Sequence, residues 1–274
     1  MYMKSVLSII TINYNNKEGL ERTIKSVINQ NVPLEYIIID GGSTDGSVEI
    51  IKQYEKNIDS CIIESDRGIY DAMNKGIIRA KGEFLMFLNS GDSLTNAHTI
   101  MNCLSIISTD TAIDIWYGDM AVSTTTGFTV HTHPKVLSLD FLKNDTINHQ
   151  ASFIRKEIFS QLGLYADQYK LAADYRHFLL SFISNKKFNY INCQIVNYDF
   201  LGLSGKDNFV EYKKEQRIIW NMYVPEYVDE LIDEIHRLKL ERKNYKQIMN
   251  YKIINTAIKL NRFIQKIRGK TLFK

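Results

Sequence analysis

Four polar clusters in the first 92 residues each end an apolar run: Thr11 to Asn15, Asp40 to Asp45, Glu64 to Arg67 and Asn89 to Asp92. Their side chains are binding groups of several kinds. An ionised aspartate such as Asp40 accepts hydrogen bonds and donates none, which suits an imide N–H. Thr11 and Tyr14 offer a hydroxyl and an aromatic edge. Asn89-Ser90-Gly91-Asp92 is a turn after an apolar run, with Asp92 its one carboxylate.

The elements that carry these clusters are readable from periodicity. Val6 to Tyr14 is a β-branched apolar run, and Leu20, Ile24, Val27 and Ile28 recur at helical spacing within Glu18 to Gln30. Pro33 ends that helix, Leu34 to Ile39 is a second strand, and Asp40 to Ser47 is turn chemistry with an N-cap at its end, leading into a helix over Val48 to Tyr54. Cys61 to Glu64 is a third strand, Ile69 to Ala80 a helix and Gly82 to Leu88 a fourth strand. Such alternation predicts a parallel, doubly wound α/β sheet, where ligands bind beyond the carboxyl ends of the strands. All four clusters then face one edge. Beyond Asp119 the pattern weakens: a strand over Ala112 to Trp116, polar residues from 121 to 150, then strand, helix and loop from Ala151 to Asp174. The organisation expected is a ligand-binding half over 1–120, a second half over 121–230 in the same domain, and a tail over 231–274.

With 45% hydrophobic and 24% charged residues in 274, the chain is neither disordered, collagen-like nor a membrane bundle. Cys61, Cys103 and Cys193 are too scattered for a disulfide framework or a zinc site, which suggests a reducing cytoplasm. The first residues run straight into a strand and read as mature protein. The net charge of +3 divides unevenly. The last 44 residues hold twelve Lys and Arg against three Asp and Glu, so the body is acidic, which argues against a nucleic-acid partner.

Several ordered motifs together carry a family resemblance. Ser8 to Asn15, Ser26 to Gln30, Ile39 to Ser47, Asp66 to Gly76, Ala80 to Phe84 and Phe87 to Asp92 resemble the opening of the family 2 inverting glycosyltransferases, which have the GT-A fold. The fold expected is α/β, a GT-A (Rossmann-like), mostly parallel central sheet flanked by helices, followed by a basic helical tail. The resemblance is strong over residues 5 to 92, patchier to about 180 and absent from the tail. It implies a catalytic and acceptor half over 121–230 and a nucleotide-sugar donor bound by Thr11, Asn13, Tyr14, Asp40, Asp66, Arg67, Asn74, Asn89 and Asp92, with Asp40 similar to the base-binding aspartate. It also implies Mn²⁺ or Mg²⁺ on the donor diphosphate, held by Asp92. Asn89 and Gly91 stand where carboxylates are frequent, so the diphosphate and waters would complete the coordination sphere.

Inverting transfer requires a carboxylate to take the acceptor proton. In the family this aspartate follows the metal motif by some 80 to 100 residues, which implies Asp174 in Leu171 to Tyr175; its customary acidic neighbour is Ala173, and Asp167 is the alternative. Asp174 is also placed to cap a helix over Tyr175 to Ile183. His149-Gln150 resembles a pair found near the acceptor or diphosphate, though His149 fits a structural role equally. Tyr117 and Asp119 border the expected acceptor site, and His131 and His133 read as loop or surface residues.

Processive relatives carry Gln-x-x-Arg-Trp and membrane spans; Gln216 to Trp220 has a different order, so one sugar is added per encounter. A glycan or lipid-linked acceptor in polysaccharide or lipopolysaccharide assembly is the expectation. A sugar-nucleotide nucleotidyltransferase needs a basic Gly-rich loop after the first strand, which Asn15 to Gly19 does not supply; a non-catalytic nucleotide-sugar-binding scaffold is the other reading. In the tail, Ile253, Ile254, Ala257, Ile258, Leu260, Phe263, Ile264 and Ile267 form an apolar stripe flanked by lysines. Two roles fit residues 252–274: peripheral contact with an anionic membrane, or packing on the body or on a second copy in a homo-oligomer.

Overall fold

A computed structural model describes residues 6–124, 127–199 and 208–244. The apolar run ending at Asn13 forms β1 (Leu7–Asn13), all seven residues of which are buried, as a strand covered on both faces requires. Asn16 caps α1 (Lys17–Ile28) by accepting from the Gly19 N–H. This helix buries Leu20, Ile24 and Val27, worth roughly 1.5–3 kcal/mol for each large side chain removed from water. β2 (Glu35–Asp40), α2 (Ser47–Gln53), β3 (Ser60–Ile63), α3 (Ile69–Arg79) and β4 (Phe84–Phe87) follow within a residue or two of the expected positions. The N-cap position of α2 is Gly46 at φ +97° rather than Ser47; the Ser47 hydroxyl turns to the Asp45 carboxylate.

β1 pairs in parallel with β2 on one side and β4 on the other, and β3 extends β2. The strand order 3-2-1-4 reverses direction between β1 and β4, which makes a crevice at the carboxyl ends of these strands. After β5 (Ser93–Leu94) and α4 (Thr99–Ile107), the sheet continues through β6 (Ile115–Thr124), β7 (Gly127–His131), β8 (Ser152–Arg155) and β9 (Phe188–Tyr198). β8 runs antiparallel between β4 and β6, joining the second half to the first in one sheet.

The strand expected over Ala112 to Trp116 begins at Ile115 and continues to Thr124. Its far part, polar by sequence, is held by β7 on one side and by β9 on the other, while β8 pairs only Ile115 to Tyr117 on the edge opposite β9. The β8 and β9 pairings are distant in sequence and leave no local signal. α5 (Leu139–Asn144), α6 (Glu157–Leu162), α7 (Ala173–Ile183) and α8 (Phe209–Tyr223) cover the second half.

The chain divides into two units, Met1–Tyr223 and Val224–Lys274. In the second, a helix spans 226–244, with Arg237 paired to Glu234 and Glu241. The apolar stripe of 252–274 lies outside the described residues. No helix among the described residues is long and apolar enough to cross a membrane.

Candidate active site

The four clusters open onto a single cleft of about 1140 Å³ at the carboxyl ends of β1 to β4. Tyr14, Gly41, Asp66, Asn89, Asp92 and Gln150 line it. Tyr14 is 65% exposed and stands at one end. Beside it the backbone of Gly41 is bare, and a Cβ there would come within 2.9 Å of Asp66 Oδ2 and 3.2 Å of the Tyr14 ring. The absence of a side chain at 41 therefore makes room for the Asp66 carboxylate. Burial raises the Asp66 pKa, while Lys75, which also pairs with Glu64, works against that rise.

Asp40 lies beneath this surface. It is fully buried, with Oδ1 accepting from the N–H groups of Gly42 and Ser43 and Oδ2 accepting from Asn13 Nδ2 at 2.7 Å and the Ser43 hydroxyl at 2.8 Å. Four donors of the chain itself occupy its oxygens. Asn13, so oriented, leaves its Oδ1 buried without a partner among the described residues. Thr11 is likewise fully buried, against the Tyr36 hydroxyl.

The Asn89 to Asp92 turn is organised by α1. Thr23 Oγ1 donates to Asp92 O at 2.6 Å and accepts from Gly91 N, and Arg22 Nε donates to Gly91 O at 3.0 Å. The Asp92 carboxylate is 3% exposed; Oδ1 accepts from the Asp199 N–H at 3.0 Å, and Oδ2 has no hydrogen-bond partner among the described residues. Burial raises its pKa to about 7. A cation would match this orphaned acceptor. Among the described residues no three His, Cys, Asp or Glu side chains cluster as a closed metal site, so any ion here would keep ligands from outside the protein.

From that turn a chain of contacts leads inward. Asn89 Nδ2 is 3.3 Å from His149 Nε2, and His149 Nδ1 is 2.8 Å from Asp174 Oδ2. Asp174 Oδ1 accepts from the Tyr70 hydroxyl at 2.9 Å and from the Tyr175 N–H. Burial works to raise the Asp174 carboxyl, but the His149, Tyr70 and Tyr175 hydrogen bonds outweigh it and hold the pKa below the ordinary value. Asp174 is the second residue of α7, not its cap, which is Ala172.

Other expected residues stand elsewhere. Asn74 clamps the backbone N–H and C=O of Tyr165, and exposed Arg67 pairs with Asp71 and with Asp167 at 2.9 Å. Tyr117 donates to Pro134 O, and Asp119 accepts from the Tyr190 hydroxyl and the His133 N–H; neither Tyr117 nor Asp119 is among the residues lining the cleft. His133 is not a surface residue. It is 5% exposed, its ring nitrogens 2.8 Å from Gly118 O and from Asn148 Oδ1, and burial lowers its pKa. Arg22, Thr23, Tyr70 and Asp199 belong to the site as well, beyond the residues expected from the motifs. Asp199 carries the same signal as the four clusters, a carboxylate ending an apolar strand.

A crevice at the switch point of a parallel half-sheet, floored by oriented carboxylates and joined to a buried Asp–His pair, defines an enzyme of GT-A architecture. The chain belongs to the glycosyl transferase family 2, whose model matches residues 8–163, and it is a glycosyltransferase. It is 32% identical over 206 residues to the PGL/p-HBAD biosynthesis glycosyltransferase of Mycobacterium tuberculosis, covering 73% of this chain and 79% of that protein. Over 93 residues it is 41% identical to TuaG of Bacillus subtilis, described as a teichuronic acid biosynthesis glycosyltransferase, covering 32% of this chain and 37% of TuaG. The fold is similar to S. aureus TarS 1-349 in complex with UDP-GlcNAc, with TM-score 0.63 and 16% identity, over 82% of this chain and 70% of that one. A mannosyltransferase from Pyrobaculum calidifontis, in complex with GDP-Man and Mn2+, matches with TM-score 0.54 and 14% identity, over 70% of this chain and 56% of that one.

Proposed function

We propose that this glycosyltransferase transfers one sugar from a nucleoside-diphosphate sugar to a glycan or lipid-linked acceptor, with inversion and with a divalent cation, in cell-surface polysaccharide assembly. The observation that carries the reading is the unbroken line from the orphaned Asp92 Oδ2 through the Asn89 turn and His149 to Asp174. It joins a cation ligand at the cleft to a proton acceptor buried behind it.

Tyr14 stacks against the base, and Asp66, at the cleft surface, accepts a base N–H; Asp40 acts below it by fixing Asn13 and the Gly42-Ser43 turn. Asp92 holds Mn²⁺ or Mg²⁺, which when bound neutralises charge developing on the leaving diphosphate. Gln150, whose Oε1 is buried without a partner among the described residues, offers an acceptor to a sugar hydroxyl. The acceptor hydroxyl attacks the anomeric carbon from the face opposite the diphosphate and gives its proton to the Asp174–His149 pair. Tyr70 and the Tyr175 N–H hold the carboxylate in place for that transfer. The teichuronic acid biosynthesis in the name of TuaG supports a polysaccharide acceptor. Peripheral attachment through residues 252–274 at the inner face of the membrane would suit a lipid-linked one.

The test is a panel of nucleotide-sugars incubated with the full chain and Mn²⁺, scored by thermal stabilisation, by nucleoside diphosphate release and by the anomeric configuration of the transferred sugar in proton NMR. Inversion with release dependent on Mn²⁺ is expected. Binding without turnover across donors and acceptors would favour a scaffold, and retained configuration would contradict the single displacement.

A further inference from the structure

Gly91 stands where the family's metal motif often carries a carboxylate, and the structure shows what fills that place. Gly91 has φ +109°, and a Cβ built on it would lie 3.3 Å from Asp199 Oδ2 and 3.4 Å from Asp199 Cβ. The carboxylate of Asp199, just past the end of β9, thus occupies the space that a side chain at 91 would enter. Two further contacts fix it there. Its backbone N–H donates to Asp92 Oδ1 at 3.0 Å, and its Oδ2 accepts from Arg22 Nη2, whose Nε holds Gly91 O. Asp199 and Arg22 both line the cleft.

We propose that Asp199 is the second carboxylate of the cation site, delivered from the end of β9 in place of the side chain absent at position 91. The inference rests on the reading that a cation binds at Asp92. The buried, unpartnered Asp92 Oδ2 points independently to a ligand there. Two carboxylates side by side repel unless a positive charge lies between or beside them. Arg22 supplies that charge in the absence of the cation, and its guanidinium yields Asp199 Oδ2 when the metal and diphosphate enter. One or two carboxylates, phosphate oxygens and waters are the usual shell of Mg²⁺. The positive φ and bare Cα of Gly91 are what leave the room.

The test is Mn²⁺ binding to the full chain, read as loss of the free-ion EPR signal in parallel titrations with saturating UDP, GDP and dTDP. Asp199→Asn, with Asp199→Ser as a second variant, should weaken Mn²⁺ binding by on the order of tenfold or more, while Asp199→Glu recovers part of the loss. Arg22→Gln should bind Mn²⁺ as tightly as the parent or more tightly. Affinity within about twofold of the parent in both Asp199→Asn and Asp199→Ser overturns the inference alone. So does an Arg22→Gln loss equal to that of Asp199→Asn, since Asp199 would then act only through its ion pair. Absence of Mn²⁺ binding to the parent chain with all three diphosphates overturns the cation reading itself and this inference with it.

Discussion

His149 Nδ1 lies 2.8 Å from Asp174 Oδ2, and the two side chains are 10% and 11% exposed. The imidazole thereby bridges the Asn89 turn and the start of α7, two segments 85 positions apart in the chain. A buried carboxylate needs donors on both oxygens, and here Tyr70 and the Tyr175 N–H take one oxygen while His149 takes the other.

Removing the imidazole should therefore be costly. His149→Ala is expected to lower stability by about 1–3 kcal/mol in urea denaturation, because Asp174 Oδ2 loses its donor while remaining buried. Turnover should fall further than nucleoside diphosphate affinity does. An unchanged denaturation midpoint would contradict the pairing.

Asp40 and Asp66 should separate stability from binding. Asp40→Asn puts an NH₂ group among four donors and is expected to cost about 1–3 kcal/mol. Asp66→Asn should cost less, since Lys75 keeps Glu64 and Asp71, yet weaken nucleoside diphosphate binding by about tenfold or more. Calorimetric titration alongside thermal melting measures both. The reverse allocation would return the base-reading role to Asp40.

His177 should set an acid-sensitive slope. It is 1% exposed and stacked on Phe159 with centroids 4.3 Å apart, and neither ring nitrogen has a hydrogen-bond partner among the described residues. Burial lowers its pKa from 6.5 to about 3. Between those values the unfolded chain binds the proton and the native chain does not, so stability falls as pH falls. The contribution is about 2 kcal/mol between pH 7 and pH 5, and His177→Phe should flatten that part of the profile in denaturation at each pH. An identical slope in the variant would show that His177 takes up a proton in the native state.

The tail has its own test. Deleting residues 252–274 should abolish co-sedimentation with anionic vesicles while leaving the melting transition of the catalytic unit in place. Binding to vesicles that survives the deletion would assign the tail to protein packing.

The binding half was legible because its signals are local. Each strand from β1 to β4 is an apolar run ending in a polar cluster, and the turn residues at Asp40 to Ser47 and Asn89 to Asp92 declare themselves. The second half was harder to read for the opposite reason. β6 carries Gly118 and Asp119 inside a strand whose register depends on β8 and β9, more than 30 residues away. His133 illustrates the same limit, since its partners Gly118 and Asn148 come from segments on either side of it. At the site, residue types and turns draw attention to Asp66 and Asp92, and only the family resemblance draws it to Asp174. Neither shows that Asp40 is saturated from within, nor that Arg22 and Asp199 close over Gly91, because both facts depend on which side chains face each other across the folded sheet.

The most direct measurement is the rate of sugar transfer by Asp174→Asn, compared with the parent chain at matched donor occupancy and saturating Mn²⁺. Loss of a positioned base should lower kcat by about 10²–10⁴-fold while the Kd for the donor changes little; the amide placed among three donors also lowers the melting temperature, so kcat is compared below both melting transitions. A variant that transfers sugar at the parent rate would remove Asp174 from the chemistry and with it the Asp174–His149 pair as the proton acceptor.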